Sequence, residues 1–283
     1  MSDQDPVAAC LQGQITAEVA VARMLLAGDN ADAIARRVQA HKVPGKAWSA
    51  LNRLVARRIV ALERLRRMID EAAIDHDGAA TPSQIGALFD RAVATSPEAS
   101  VALYSLGDSL TLAAATDEIL SWLRRERLFA TGMDVLDLGC GIGRMIAALA
   151  PHARSVLGLD VSAEMVREAR RRCGNAGNVQ IAVTAGQDLA SLPDAGFDLL
   201  LAADSFPYLV QAGVAERHVA DARRILRRDG ALVILNLSYR GDPEGDQVEA
   251  QAWAARHDFT VRLCGILPFR LWDGSAFVLV RPS

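Results

Sequence analysis

Three glycines at alternate positions constrain this chain more than any other feature: Gly139, Gly141 and Gly143, inside M-D-V-L-D-L-G-C-G-I-G-R-M from Met133 to Met145. A short apolar run, Val135 to Leu138, stops at the first of them, and an apolar helical pattern begins at Met145. The order predicts strand, tight turn, helix. Glycines spaced in this way let the backbone bend sharply and bring its N–H groups close to a ligand with no Cβ in the way. The ligand is therefore expected to be small and held in part by main chain. A dinucleotide fingerprint, G-x-G-x-x-G, does not fit. Counted from Gly139 its last glycine falls on Arg144, and counted from Gly141 it falls on Ile146.

The run D-x-G-x-G-x-G, Asp137 to Gly143, instead resembles motif I of the class I S-adenosylmethionine-dependent methyltransferases. The resemblance implies that Asp137, Gly139, Cys140, Gly141 and Gly143 surround the methionine end of S-adenosylmethionine. Further motifs follow in that family's order. The apolar run Ser155 to Leu159 ends in Asp160, 17 residues beyond Gly143, followed by Val161. An acid at the carboxyl end of a strand can accept hydrogen bonds from both ribose hydroxyls. Val179 to Val183 leads into Ala185-Gly186-Gln187-Asp188, which looks like the family's adenine loop, implying cofactor contacts from Gln187 and Asp188, with Asp188 accepting from the exocyclic amine. Phe197 to Ala202 leads through Ala203 to Asp204-Ser205-Phe206-Pro207-Tyr208 on the substrate side. A helix, Glu216 to Leu226, then precedes Arg227-Arg228-Asp229-Gly230 and a strand from Ala231, where relatives often carry Lys-Pro-Gly-Gly; the proline is absent here. The resemblance covers roughly residues 105 to 283.

Repeated strand–helix steps of this length argue for a parallel sheet covered on both faces, with ligands at the strands' carboxyl ends. The tail departs from the alternation. Ala231 to Leu237 reads as a strand, Gln247 to His257 as a helix, and Phe259 to Leu263 and Ala276 to Val280 as two strands flanking Pro268 to Gly274. The expected fold is α/β: a doubly wound, seven-stranded, mostly parallel sheet of the Rossmann-like methyltransferase type, its last strand antiparallel, with an all-α N-terminal extension. The expected divisions are 1–80 for the extension, 81–130 for lid and linking helices, and 131–283 for the cofactor-binding domain.

The first 80 residues show helical periodicity and no strand-like alternation. Thr16 is placed to cap a helix from Ala17 to Leu26, and Gly28-Asp29-Asn30 separates it from a second, Ala31 to His41. A long helix follows from Lys46 to about residue 73, with Trp48, Leu51, Val55, Leu62, Leu65, Ile69 and Ala72 on one stripe. That stripe must be covered, either by the short helices before it or by the same helix of a second subunit, so a homodimer stays open. Arg53, Arg57, Arg58, Arg64, Arg66 and Arg67 give the helix a basic face, which suits RNA phosphates or an acidic substrate, or is a solvated face paired with acids elsewhere in the fold. Residues 75–78 and Thr81-Pro82 read as a linker. Downstream, the resemblance places a lid just before motif I, with Tyr104 as the aromatic that covers the cofactor.

Methyl transfer from a sulfonium needs an aligned acceptor and excluded water, and a base only where the acceptor must lose a proton. Asp204 is the candidate base or substrate acceptor, and Tyr208 its catalytic neighbour, with Tyr239 as a further pocket wall. His218 reads as structural, and Arg240 as a substrate-carboxylate ligand or a surface arginine beside Asp242 and Glu244. The Asn- or Asp-Pro-Pro-Tyr signature of nucleic-acid amino-group methyltransferases is absent, which points to a small-molecule acceptor at oxygen, nitrogen or sulfur. The other readings are an RNA methyltransferase using the basic helix and a non-catalytic cofactor-binding assembly or regulatory protein.

A formal net charge of −3 gives no global attraction to nucleic acid or anionic membrane. Cys10, Cys140, Cys173 and Cys264 are widely spaced with no C-x-x-C pair, so neither a disulfide framework nor a metal site is expected. The sequence M-S-D-Q-D-P is no signal-peptide pattern, and no uncharged apolar run approaches the length of a membrane span. A cytoplasmic protein without a membrane partner is expected.

Overall fold

A computed structural model describes residues 4–43, 45–72, 80–174 and 176–283. The expected linker at residues 75–78 lies outside the described residues. Five parallel strands form one side of a seven-stranded sheet: β1 (Asp134–Leu138), β2 (Ser155–Asp160), β3 (Val179–Val183), β4 (Phe197–Ala203) and β5 (Leu226–Leu235). Adding β6 (Thr260–Ile266) and β7 (Ala276–Val280), the order is β3-β2-β1-β4-β5-β7-β6, with β7 antiparallel to both of its neighbours. The chain reverses direction in strand order between β1 and β4, so a crevice opens there at the carboxyl ends, beside the glycine turn.

Alternation along the central strands covers both faces. Val135, Leu199, Leu201, Val233 and Val278 belong to one core, while Leu136, Leu200, Leu232, Ile234 and Phe277 belong to the other. The second core is closed by Val219, Ala222 and Ile225 of α11 (Ala215–Ile225) and by Trp253 of α12 (Pro243–Arg256). The first is covered by α7 (Ser109–Arg125), α8 (Arg144–Leu149) and α9 (Ala163–Cys173).

That first core continues without a break into the N-terminal helices α1 (Pro6–Leu11), α2 (Ala17–Leu26), α3 (Ala31–Ala40) and α4 (Lys46–Ala72). Thr16 caps α2 by accepting from Val19 N at 3.2 Å, as its sequence position implies. The stripe of α4 is covered within the chain: Leu51, Val55, Leu62, Leu65 and Ile69 are buried beside Met24, Leu25 and Ile34, and the Trp48 indole donates to Val38 O at 2.9 Å. Three of the arginines on its basic face are engaged by the fold. Arg58 pairs with Asp108 at 3.0 Å, Arg64 donates to Thr95 O, and Arg66 binds Asp70 and Leu25 O.

Between α4 and the sheet run α5 (Pro82–Thr95), α6 (Pro97–Val101) and a single 3-10 turn, Leu103–Ser105. α5 is pinned to the start of α9, where Asp90 accepts from Ser162 Oγ at 2.6 Å and Glu164 N at 3.0 Å. Past β4, Phe206–Gln211 forms a short helix, α10, which apolar periodicity over six residues is too short to reveal. No helix among the described residues is long and apolar enough to cross a membrane.

Candidate cofactor and acceptor site

A cavity of about 710 Å³ lies over the carboxyl ends of β1, β2 and β4. Its floor is the glycine turn. Gly139 sits at φ +70°, and a Cβ there would stand 2.3 Å from Ser205 Cβ, so both conformation and space demand glycine. Asp160 holds the turn in place from β2: its Oδ2 accepts from Gly141 N at 2.8 Å and its Oδ1 from Ser162 N at 2.9 Å. Each oxygen keeps a lone pair for a further donor. Burial pushes the Asp160 carboxyl up to about 6 despite those bonds.

Under the turn a second cavity, about 20 Å³, adjoins the first through Val101, Gly139, Gly141 and Ala203. Asp137 and Arg144 both line it, and each presents a buried atom without a partner, Oδ2 of the acid and Nη2 of the guanidinium. Burial pushes the Asp137 carboxyl up to about 7, opposed by Arg144 and reinforced by Asp160. Two unmatched groups of opposite sign beside one small space are suited to a zwitterion: an ammonium for Asp137, a carboxylate for Arg144. Arg144 Nη1 reaches Tyr104 Oη at 3.3 Å, and Tyr104 stacks on Trp272 at a centroid distance of 5.9 Å.

At the end of β4, Asp204 adopts φ 63°, a left-handed conformation uncommon outside glycine, and faces the cavity. Its Oδ1 accepts from Asn236 Nδ2 at 2.8 Å and from Tyr239 Oη at 2.8 Å. Asn236 is itself left-handed at φ 63° and is locked by accepting from Ser275 N at 2.9 Å. Burial pushes Asp204 up to about 6 against both hydrogen bonds. Tyr239 meets Tyr208 edge-on at 5.6 Å, and Tyr208 meets Phe89 at 5.0 Å, so aromatic edges wall this end. Burial raises both tyrosines well above the ordinary phenol range, which keeps them neutral.

The roof is apolar and comes from far away in sequence: Val19, Ala22 and Leu26 of α2, Met68 and Ile69 of α4, and Ile85 of α5. At its rim Arg23 of α2 pairs with Asp273 of the β6–β7 connection at 2.7 Å.

A family model described as "Methyltransferase domain" matches residues 135–230, the stretch from the glycine strand into β5. Residues 135–230 are thus a methyltransferase domain. An uncharacterised 37.1 kDa protein in a transposon of Streptomyces fradiae is 29% identical over 232 residues, covering 77% of this chain and 61% of that one. A demethylmenaquinone methyltransferase of Tropheryma whipplei is 33% identical over 108 residues, 38% of this chain and 43% of that enzyme. The chain thus spans only about half the length of the curated relatives it matches. Among solved structures, the [4+2]-cyclase SpnF superposes with a TM-score of 0.51 at 17% identity, over 74% of this chain and 99% of that one, a likeness of fold.

Within the methyltransferase domain the structure gathers many of the expected residues and displaces others. Gly139, Gly141, Asp160, Val161, Ala203, Asp204, Tyr208 and Tyr104 line the large cavity, and Asp137 and Cys140 the small one. Cys140 is filler behind the turn: it is buried, its thiol is pushed up by burial, and its Sγ packs on Gly158. Gly143 lines neither space. A Cβ there would meet Cys173 Sγ at 3.0 Å and Ala169 Cβ at 3.1 Å, so this glycine serves the approach of α9 rather than a ligand. Gln187 is exposed, and Asp188 turns away to pair with Arg217 at 2.7 Å; neither lines the cavity. Arg240 is held by Asp246 at 2.8 Å and by Glu249, and does not line the cavity. Tyr239, read as a pocket wall, donates a hydrogen bond to Asp204.

The residues missed from sequence are Arg144, Asn236, Trp272 and the roof of α2, α4 and α5. Arg144 carried a usable signal, since an arginine directly after the last glycine opens the helix beside the ligand. The roof carried none, because its residues look like ordinary core.

Proposed function

We propose that this chain binds S-adenosylmethionine in the large cavity and transfers its methyl group to an apolar small molecule at oxygen, nitrogen or sulfur, with an acidic hydroxyl the acceptor Asp204 serves best. The observation that carries the reading is the pair of unmatched charges, Asp137 Oδ2 and Arg144 Nη2, beside one small space under the glycine turn. They fit the ammonium and carboxylate of the cofactor's methionine end. Asp160 would take the ribose hydroxyls, and Tyr104 would close over the sulfonium end.

When bound, the cofactor would supply a methyl group already activated on a sulfonium, with S-adenosylhomocysteine as the leaving group once the acceptor takes that methyl. Asp204, with a carboxyl near 6, is ionised at neutral pH and is a base of matched strength for a phenol or enol. Asn236 and Tyr239 fix its orientation through Oδ1. The apolar roof excludes water and selects an apolar acceptor. On this reading residues 1–80 are a helical cap, residues 81–130 the lid that joins it to the cofactor domain, and the acceptor a metabolite rather than nucleic acid.

Calorimetric titration with S-adenosylmethionine and S-adenosylhomocysteine tests the first half, and binding of neither sinks it. Incubation with methyl-labelled cofactor and an extract of apolar host metabolites tests the second. The expected result is label in an organic-extractable product, absent with Asp204→Asn. Tight cofactor binding with no labelled product from any extract would leave the non-catalytic reading in its place.

A further inference from the structure

His218 has no role in the mechanism above, yet it is among the residues that border the large cavity and is only 2% exposed. Its Nδ1 lies 2.9 Å from the carbonyl of Val214 one turn earlier in α11. A carbonyl only accepts, so Nδ1 carries the proton and Nε2 bears a lone pair. That Nε2 is buried without any hydrogen-bond partner. Burial also lowers the ring's proton affinity, which keeps it neutral. A neutral, fixed, unmatched acceptor on a cavity wall is unfavourable until a donor arrives.

The neighbours of His218 say which end of the cavity it serves. Arg217, beside it, holds Asp188, and Asp221 accepts from Leu189 N at 2.8 Å, so the start of α11 is stitched to the loop that follows β3. The charged groups around His218 include Asp221, Asp188 and Arg217. Thr184 and Gly186 of the same loop line the cavity, as does Val161 beyond Asp160. If the methionine end lies over Asp137 and Arg144 and the ribose at Asp160, the base continues past Asp160 toward this loop. Adenine offers one donor group there, its exocyclic amine.

We propose that His218 Nε2 accepts the hydrogen bond of the adenine amine and so reads adenosine against inosine. This rests on the cofactor reading above. It assigns to His218 the part that the sequence suggests for Asp188, whose carboxylate is spent on Arg217.

The test is ligand discrimination. S-adenosylhomocysteine and its deaminated counterpart, S-inosylhomocysteine, are titrated into the full chain and into His218→Phe, His218→Gln and Asp188→Ala. The wild type should prefer the adenosyl ligand by about tenfold or more. His218→Phe should bring that ratio close to one by weakening the adenosyl ligand, and His218→Gln, which restores an acceptor, should recover part of it. Asp188→Ala should keep the ratio. Should a buried substitution prevent folding, nitrogen NMR of wild-type imidazoles supplies the same answer, with His218 Nε2 shifting on binding while Nδ1 stays protonated. Adenosyl and inosyl ligands binding the wild type equally, an unchanged ratio in His218→Phe, a collapse only in Asp188→Ala, or an unmoved Nε2 resonance would each overturn the assignment while leaving the cofactor reading intact. Binding of neither ligand to the wild type would overturn both.

Discussion

The floor and the roof of the cavity are made by opposite means. The floor is polar and local: Asp137, the glycine turn, Arg144 and Asp160 come from one strand–turn–helix–strand unit, and Asp137 and Arg144 each keep one buried polar atom without a partner. The roof is apolar and non-local, drawn from α2, α4 and α5, and its Val19, Ala22, Met68 and Ile69 pack into the same core that covers the sheet. An unmatched charge stores binding energy for one ligand chemistry, whereas an apolar wall selects by size and shape. The floor should therefore control cofactor affinity and the roof acceptor choice, each with little effect on the other.

The largest expected effect tests the floor. Gly139→Ala forces a Cβ to within 2.3 Å of Ser205 Cβ at a left-handed φ, and should weaken cofactor binding by about 100-fold or more. Near-normal affinity by calorimetry would show that the turn is not the cradle.

Next is the point where floor meets roof. Asp204→Asn should lower kcat by about 10²-fold or more while changing cofactor Kd about twofold or less. In the wild type, kcat should rise with pH through about 6 and level off above it, because Asp204 acts as carboxylate and its carboxyl titrates there. A flat profile from pH 5 to 8 would remove Asp204 as the base.

Asp137 gives a prediction in stability. Its carboxyl, pushed up to about 7 in the folded, ligand-free protein, keeps a proton that the unfolded chain loses near 3.8. The folded state therefore binds more protons across that window, and stability falls as pH rises from about 4 to about 7. Asp137→Asn should flatten part of that slope, raise ligand-free stability at pH 7 by about 1–3 kcal/mol, and weaken cofactor binding by about tenfold. Thermal melts at pH 5 and pH 7 check the sign, and an unchanged slope would mean that Asp137 is not buried as a carboxyl.

The roof should respond more gently. Phe89→Ala, on the α5 side of the cavity, should raise the acceptor KM about tenfold with cofactor Kd unchanged, since Phe89 lines the cavity and meets Tyr208 edge-on. Arg23→Ala removes a partly exposed ion pair, and should cost no more than about 1 kcal/mol while changing acceptor KM only a few-fold. A loss of cofactor binding in either variant would erase the division between floor and roof.

Much of the floor was legible because its signals are local. An acid at 137 near the end of a strand, glycines at 139 and 141, and an acid at 160 each announce themselves within a few residues, and all stand at one of the two cavities. Where local reading misled, a neighbour outside the motif had the last word: Cys173 and Ala169 press on Gly143, and Arg217 takes Asp188. The stripe of α4 is similar, since periodicity required a cover but could not choose between one chain and two; Met24, Leu25 and Ile34 supply it within the chain.

By itself the sequence determined the strand–turn–helix unit, the alternation that covers both faces of the sheet, and the acid at the end of β2, because backbone conformation and side-chain periodicity act over a few residues. Only the tertiary structure decided that Asp137 and Arg144 share one small space, that Tyr239 and Asn236 hold Asp204, and that helices from the first 72 residues close the cavity. Those pairings join residues far apart along the chain, and their partners are chosen by how the layers pack, which no local pattern encodes.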